Sequence, residues 1–231
     1  MTVKSPLRYP GGKSRAIPKI KKKLPNSFVE FREPFVGGGS VFLFIRQHYP
    51  NVNVWINDLN YDLYCFWKTA QTDTKNLAAA VARIKDECTY GQALFDELRE
   101  NFDAQLSEFD RAVRFFVLNR ISFSGTVDSG GYSELAFQTR FTHSSIKRLL
   151  SLEPLLQDIR ITHLDYKSVI HEPGQEVFIF LDPPYLAATK SRLYGKNGSL
   201  HTTFDHAEFA AQMQRCPHQW LITYDERLSK K

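Results

Sequence analysis

The chain has 231 residues, ordinary charged and apolar fractions and a net charge of +5, which bounds it to one full core with an insertion or to two modest domains. No apolar run reaches membrane-spanning length and no signal pattern opens the chain, so no membrane association is expected, and the cytoplasm is the expected location. Cys65, Cys88 and Cys216 are widely separated and match no zinc or disulfide framework, which suits a reducing compartment.

Eight lysines and arginines fall between Lys4 and Lys23 with no acid among them. Such a stretch suits a polyanion partner, or forms a solvated basic face. Within it, Arg8-Tyr9-Pro10-Gly11-Gly12-Lys13-Ser14 is a loop by its breakers. Its glycines let backbone approach a ligand closely. It is no phosphate-binding P-loop, because Leu7 stands where the first glycine of that pattern belongs and no apolar strand precedes it. A helix is predicted from Ala16 to Leu24, with Pro18 in its first turn.

Ser27 to Arg32 alternates as a first strand. It runs into Glu33-Pro34-Phe35-Val36-Gly37-Gly38-Gly39-Ser40 and then a helical pattern of Val41, Phe42, Phe44 and Ile45. Strand, glycine turn and helix form the mononucleotide-binding arrangement, in which free amides at the helix start face the ligand. Val52 to Ile56 is a second strand ending in Asn57-Asp58-Leu59-Asn60. Asp58 stands where a ribose hydroxyl pair is gripped in doubly wound folds, or else Asp58 or Asn57 caps the helix that follows.

Four helical patterns then run from Leu63 to about Ile121 without a strand between them. Ser122 to Phe141 mixes glycines with Phe123, Tyr132, Phe137 and Arg140. It reads as a hairpin or long loop, either an ordinary surface loop or one suited to reading nucleic acid. A helix from Thr142 to Leu156 starts near Ser144 or Ser145, and a third strand, Arg160 to His163, leads to Asp165-Tyr166.

The run Val177 to Leu181 is β-branched and aromatic without a polar break, hence a strand buried on both faces. It stops on Asp182-Pro183-Pro184-Tyr185. Prolines cannot continue a ladder, so Asp182 sits at the carboxyl end of a central strand, where open α/β sheets bind ligands. A fixed carboxylate, a backbone carbonyl and an aromatic ring suit a planar amine. As bare structure the same residues are a strand end with a proline stop. A polar loop follows from Leu186 to Leu200, long enough for a lid. Asp205 caps a helix to about Gln214, and Trp220 to Tyr224 is a last strand. The chain stops at Lys231, before the seven strands of a complete sheet of this kind.

Tyr9-Pro-Gly-Gly-Lys13, Glu33-Pro-Phe-Val-Gly-Gly-Gly-Ser40, Asn57-Asp58-Leu59-Asn60, Leu118-Asn119-Arg120, Asp165-Tyr166 and Asp182-Pro-Pro-Tyr185, in this order and spacing, resemble the motifs of DNA adenine methyltransferases of the Dam type across nearly the whole chain. The recognition stretch differs in detail from the best-known members. The resemblance implies an α/β fold, a mostly parallel doubly wound sheet of the S-adenosylmethionine methyltransferase type with a helical DNA-recognition insert. Residues 1–62 and 157–231 would form the catalytic domain. Residues 63–156 would form the insert, with its hairpin near 122–140.

It implies S-adenosylmethionine as cofactor, no metal, and double-stranded DNA as partner, with a cognate restriction enzyme as a further one. Asp182, Pro183 and Tyr185 would be catalytic. Tyr9, Lys13, Glu33, Phe35, Gly37, Gly39, Asp58, Asp165, Tyr166 and Asp182 would hold the cofactor, with Glu33 facing its ammonium and Lys13 its carboxylate. Asn119, Arg120, Ser124 and Arg140 would contact DNA. A related enzyme acting on cytosine or on adenine in RNA has the same carboxylate needs, and digesting the methylated product to nucleosides identifies the base. An inactive DNA-binding relic keeps the same fold, and S-adenosylmethionine binding by calorimetry followed by tritium transfer to DNA separates it from an enzyme.

Substitutions across Ser122 to Arg140 should change site preference more than substitutions across Lys19 to Lys23, as read from methylation rates on a randomised-site library. A base contact by Arg140 carries roughly 1–3 kcal/mol of discrimination at one position. A phosphate contact weakens all sequences alike and lowers the salt slope by about one ion.

Overall fold

The computed structural model describes residues 2–100, 105–127, 129–185 and 204–224. Five strands, β1 (Glu30–Glu33), β2 (Asn53–Asn57), β3 (Arg160–Thr162), β4 (Val177–Leu181) and β5 (Gln219–Ile222), make one sheet in the order β3-β2-β1-β4-β5. Every pairing is parallel. The chain builds outward from β1 to β3 and then returns to place β4 on the other side of β1. The order therefore reverses between β1 and β4, and a crevice opens at their carboxyl ends. The predicted strands agree with these to within a few residues.

Strand β4 is buried along its whole length, and its alternation shows why. Phe178 and Phe180 enter the larger core, while Val177, Ile179 and Leu181 pack with Ile170, Phe209 and Met213 on the opposite face. A strand covered on both sides needs no polar residue, hence the unbroken apolar run.

Ten of the eleven described α-helices precede β4: α1 (Ile17–Lys21), α2 (Ser40–His48), α3 (Tyr61–Thr72), α4 (Thr74–Glu87), α5 (Gly91–Glu100), α6 (Glu108–Ile121), α7 (Glu134–Arg140), α8 (His143–Leu150), α9 (Glu153–Leu156) and α10 (Tyr166–His171). Helix α11 (His206–Gln214) lies between β4 and β5. The helices α3 to α9 all lie between β2 and β3. A boundary at residue 62 would cut α3, and one core runs from Phe31 and Phe42 through Phe66 and Trp67 to Phe116. Phe66 stacks on Phe116 at 5.8 Å, joining α3 to α6.

Three local expectations are corrected. The hairpin expected near 122–140 is one antiparallel bridge, Ser122 with Tyr132, followed by α7. The Ser133 hydroxyl accepts from the Ala136 amide, so a cap starts a helix where turn residues predicted strands. The helix predicted from Thr142 to Leu156 is two. Thr142, not a serine, caps α8 in a reciprocal capping box with Ser145. Pro154 restarts the chain in the first turn of α9. Helix α10 is not predicted by the sequence pattern, its six residues being too short for a period to show.

Arg32 is fully buried inside β1. Its guanidinium donates to the Glu30 carboxylate at 2.6 Å and to the carbonyls of Val169 (2.9 Å), Glu172 (2.6 Å) and Pro173 (3.1 Å). It thereby ties β1 to the end of α10 and to the turn before β4. Arg32→Ala should cost roughly 3–5 kcal/mol, since it strands buried acceptors and one carboxylate. Urea unfolding measures this, and a loss below about 1 kcal/mol would show that water replaces the guanidinium.

Candidate active site

A cavity of about 490 Å³ opens at the carboxyl ends of β1, β2 and β4. Its walls come from Tyr9 to Lys13, Glu33 to Val41, Asn57 to Asn60, Leu164 to Lys167 and Asp182 to Tyr185, with Phe204, Asp205 and Glu208. All the residues expected at the cofactor and at the catalytic motif are thus brought to one place.

The glycine turn is held from three sides. Gly37 has φ 47° and Gly39 φ 71°, a region costly for side-chain-bearing residues. A Cβ on Gly37 would meet the Tyr9 ring at 2.8 Å, and one on Gly39 would strike Phe42 and Trp67. The Trp67 indole N–H donates to the Gly37 carbonyl at 3.1 Å, and the Gly37 amide donates to Asp58 at 2.9 Å. Tyr9 and Trp67 clamp the turn between them.

Asp58 also accepts from the Asn60 amide at 3.0 Å. It does not cap α3, and neither does Asn57. The cap is Asn60, which accepts from Leu63 at 3.1 Å. Asn57 is buried and fully used. Its amide donates to the carbonyls of Pro34 and Leu164, while its oxygen accepts from Thr162 and the Leu164 amide, all within 3.1 Å. One side chain therefore fixes the loops after β1, β2 and β3 relative to one another.

Glu33 ends β1 nearly without solvent contact and accepts from the Phe42 amide at 2.9 Å. Burial pushes its carboxyl well above the usual range, and the neighbouring Asp182 and Asp58 add to the rise, against the Phe42 hydrogen bond and Lys13. For Asp58, desolvation raises the carboxyl from 3.8 to about 6 against the hydrogen bonds from Asn60 and Gly37.

Asp182 receives three side-chain donors. Lys13 donates to Oδ2, while the Tyr185 hydroxyl (3.0 Å) and the Thr223 hydroxyl (2.7 Å) donate to Oδ1. Burial draws the Lys13 ammonium down, and Asp182 with Tyr185 outweighs it, so the net direction is up. The Lys13 ammonium stands 5.2 Å from the Tyr185 ring centre. Phe35 and Tyr166 form an aromatic wall with ring centres 5.5 Å apart, joined by Phe204 and Phe209. Asp165 caps α10 by accepting from Lys167 at 2.9 Å.

The residues expected at DNA fare differently. Asn119 is fully buried, and its side chain holds the backbone of Arg8 and Gly125. Arg120 is buried on the carbonyls of Pro6 and Arg140. Burial, with Arg8, Arg148 and Arg140 nearby, lowers it to about 10. Both side chains are spent on backbone groups inside the protein. Ser124 and Arg140 are exposed. Ser124 occupies a left-handed turn position, φ 54°, beside the exposed ring of Phe123. The expected lid from Leu186 to Leu200, with Lys190 to Lys196, lies outside the described residues.

Residues 9–231 match the model of the D12 class N6 adenine-specific DNA methyltransferases. The chain belongs to that family. It is accordingly an adenine-specific DNA methyltransferase with the fold of the S-adenosylmethionine-dependent enzymes. Among its relatives is the type II methyltransferase M.MjaIII of Methanocaldococcus jannaschii, 27% identical over 209 residues, which cover 83% of this chain and 72% of the relative. The DNA N-6-adenine-methyltransferase of Escherichia phage P1 is 28% identical over 79% of this chain and 24% of its own length. The DNA adenine methylase of Salmonella typhi is 33% identical over 52% of this chain and 41% of its own.

Two supporting side chains of this methyltransferase were missed in the sequence. The sequence offers Asn57 as a helix cap or as part of the Asn57-Asp58-Leu59-Asn60 motif, with no sign that it joins three loops. Thr223 falls in the predicted last strand, and the signal for it is the likeness of Leu181-Asp182 to Ile222-Thr223, each an apolar strand end followed by a polar residue. The Asp58 carboxyl resonance of the ligand-free protein should titrate with a midpoint near 6, ionised above and protonated below. Followed by carbon NMR, a midpoint at 3.8 would mean a solvated group.

Proposed function

We propose that this methyltransferase turns its target adenine out of the duplex and presents the exocyclic amine to Asp182 and the carbonyl of Pro183. The observation that carries the reading is the place of Asp182, at the end of the central strand β4 and on the wall of the cavity that the glycine turn enters. An adenine inside a duplex cannot reach such a wall, and extrusion costs a few kcal/mol of unstacking and unpairing.

The cavity residues fit S-adenosylmethionine, the methyl donor the family implies. Asp58, reaching past the glycine turn, suits a ribose hydroxyl pair. The wall of Phe35 and Tyr166 suits an adenine ring. Glu33 and Lys13, of opposite sign on the same side, suit an ammonium and a carboxylate. When bound, the cofactor supplies an electrophilic methyl group on a sulfonium.

The chain's own part is positioning and charge. Two acceptors on the amine hydrogens turn the nitrogen lone pair toward the methyl group. The Asp182 carboxylate then stabilises the positive charge that develops on that nitrogen. Lys13 gives up Oδ2 as the amine arrives. The Tyr185 ring stacks on the base, with Tyr224 behind it at 6.1 Å between ring centres. No step asks for a metal ion. Exposed Ser124 and Arg140 would meet the DNA, a cognate restriction enzyme would be the natural partner, and the cytoplasm the place of action. No helix among the described residues is long and apolar enough to cross a membrane.

Asp182→Ala should abolish methyl transfer and change cofactor affinity by less than about tenfold, roughly 1.4 kcal/mol. Tritium transfer to DNA and calorimetry with S-adenosylmethionine measure the two, and near-normal turnover would overturn the assignment.

A further inference from the structure

We infer that Thr223, just past the end of β5, is a positioning residue for methyl transfer, setting the direction in which Asp182 offers its free lone pairs. The inference rests on the assignment of the target amine to Asp182.

The placement follows from the parallel ladder. The last register pair of β4 with β5 is Leu181 with Ile222, and the Thr223 amide continues the ladder by donating to the Leu181 carbonyl at 2.9 Å. The next residues along, Asp182 and Thr223, therefore stand side by side, and neighbours in a parallel sheet point their side chains the same way. The Thr223 hydroxyl lies 2.7 Å from Asp182 Oδ1 and 3.4 Å from the Leu181 carbonyl. Its single hydrogen goes to the nearer, charged acceptor.

The three donors on Asp182 are not equivalent. Lys13 stands on a loop, and its ammonium rotates on a four-carbon stem. Tyr185 lies in the turn after Asp182, and its ring is the surface on which the base stacks. Thr223 is anchored by a β-sheet hydrogen bond, and its β-branched side chain has few rotamers. It is the one donor able to keep its place while base and cofactor come and go. Holding Oδ1 from the β5 side turns Oδ2 toward the cavity. Without the hydroxyl, the carboxylate rotates about its terminal bond, a soft torsion, and the amine meets a spread of orientations.

The test compares Thr223→Val, which keeps shape and branch but loses the hydroxyl, with Thr223→Ser, which keeps the hydroxyl. Single-turnover methyl transfer at saturating DNA and S-adenosylmethionine should slow roughly tenfold to a hundredfold in Thr223→Val, the equivalent of one hydrogen bond to a charged group. Cofactor affinity by calorimetry should stay within about twofold, and Thr223→Ser should recover most of the rate. A wild-type rate in Thr223→Val, or an equally slow Thr223→Ser, overturns the inference. If thermal melting shows that Thr223→Val is unfolded, Thr223→Ala takes its place against Thr223→Ser with the same expected outcomes. An inactive Asp182→Ala beside a fully active Thr223→Val would refute the role of Thr223 alone, whereas an active Asp182→Ala would refute the reading beneath it.

Discussion

Parallel pairing of β1 with β4 brings Glu33 and Asp182, the acids at their ends, to the same edge of the sheet. Antiparallel neighbours would have sent them to opposite edges. The sheet builds away from this pair in both directions, so the loops that follow the two strands splay apart and leave room between them. Ladder hydrogen bonds fix the strands, and the strands fix the acids, before any side chain of the site makes its own contact.

This arrangement concentrates negative charge. Glu33, Asp58 and Asp182 line one cavity, and Lys13 is a cation paired with Asp182 among them. Burial and mutual repulsion hold Glu33 toward its protonated form, while Lys13 sits against Asp182.

The supporting structure is economical. Asn57 joins three loops with four hydrogen bonds. Tyr9 and Trp67 reach the glycine turn from before and after it in the sequence, one on the N-terminal loop and the other on α3. Arg120 and Asn119 hold Pro6, Arg8, Gly125 and Arg140 by their backbones.

Sequence alone determined the sheet-forming segments, the glycine turn, the acid at the end of β4 and the family. Each rests on chemistry local to a few residues: an apolar run long enough for one strand, glycines that permit positive φ, prolines that stop a ladder. The capping roles were less legible, since Ser133, Thr142 and Asn60 compete with neighbours of equal propensity and only the realised helix chooses among them. Tertiary structure alone decided which polar side chains face the cavity and which are consumed inside. Asn119 and Arg120 look like Ser124 and Arg140 in the sequence, but burial against distant backbone separates them. Thr223 shows the same limit from the other side. Its partner lies 41 residues away, and only the parallel register of β4 and β5 makes them neighbours.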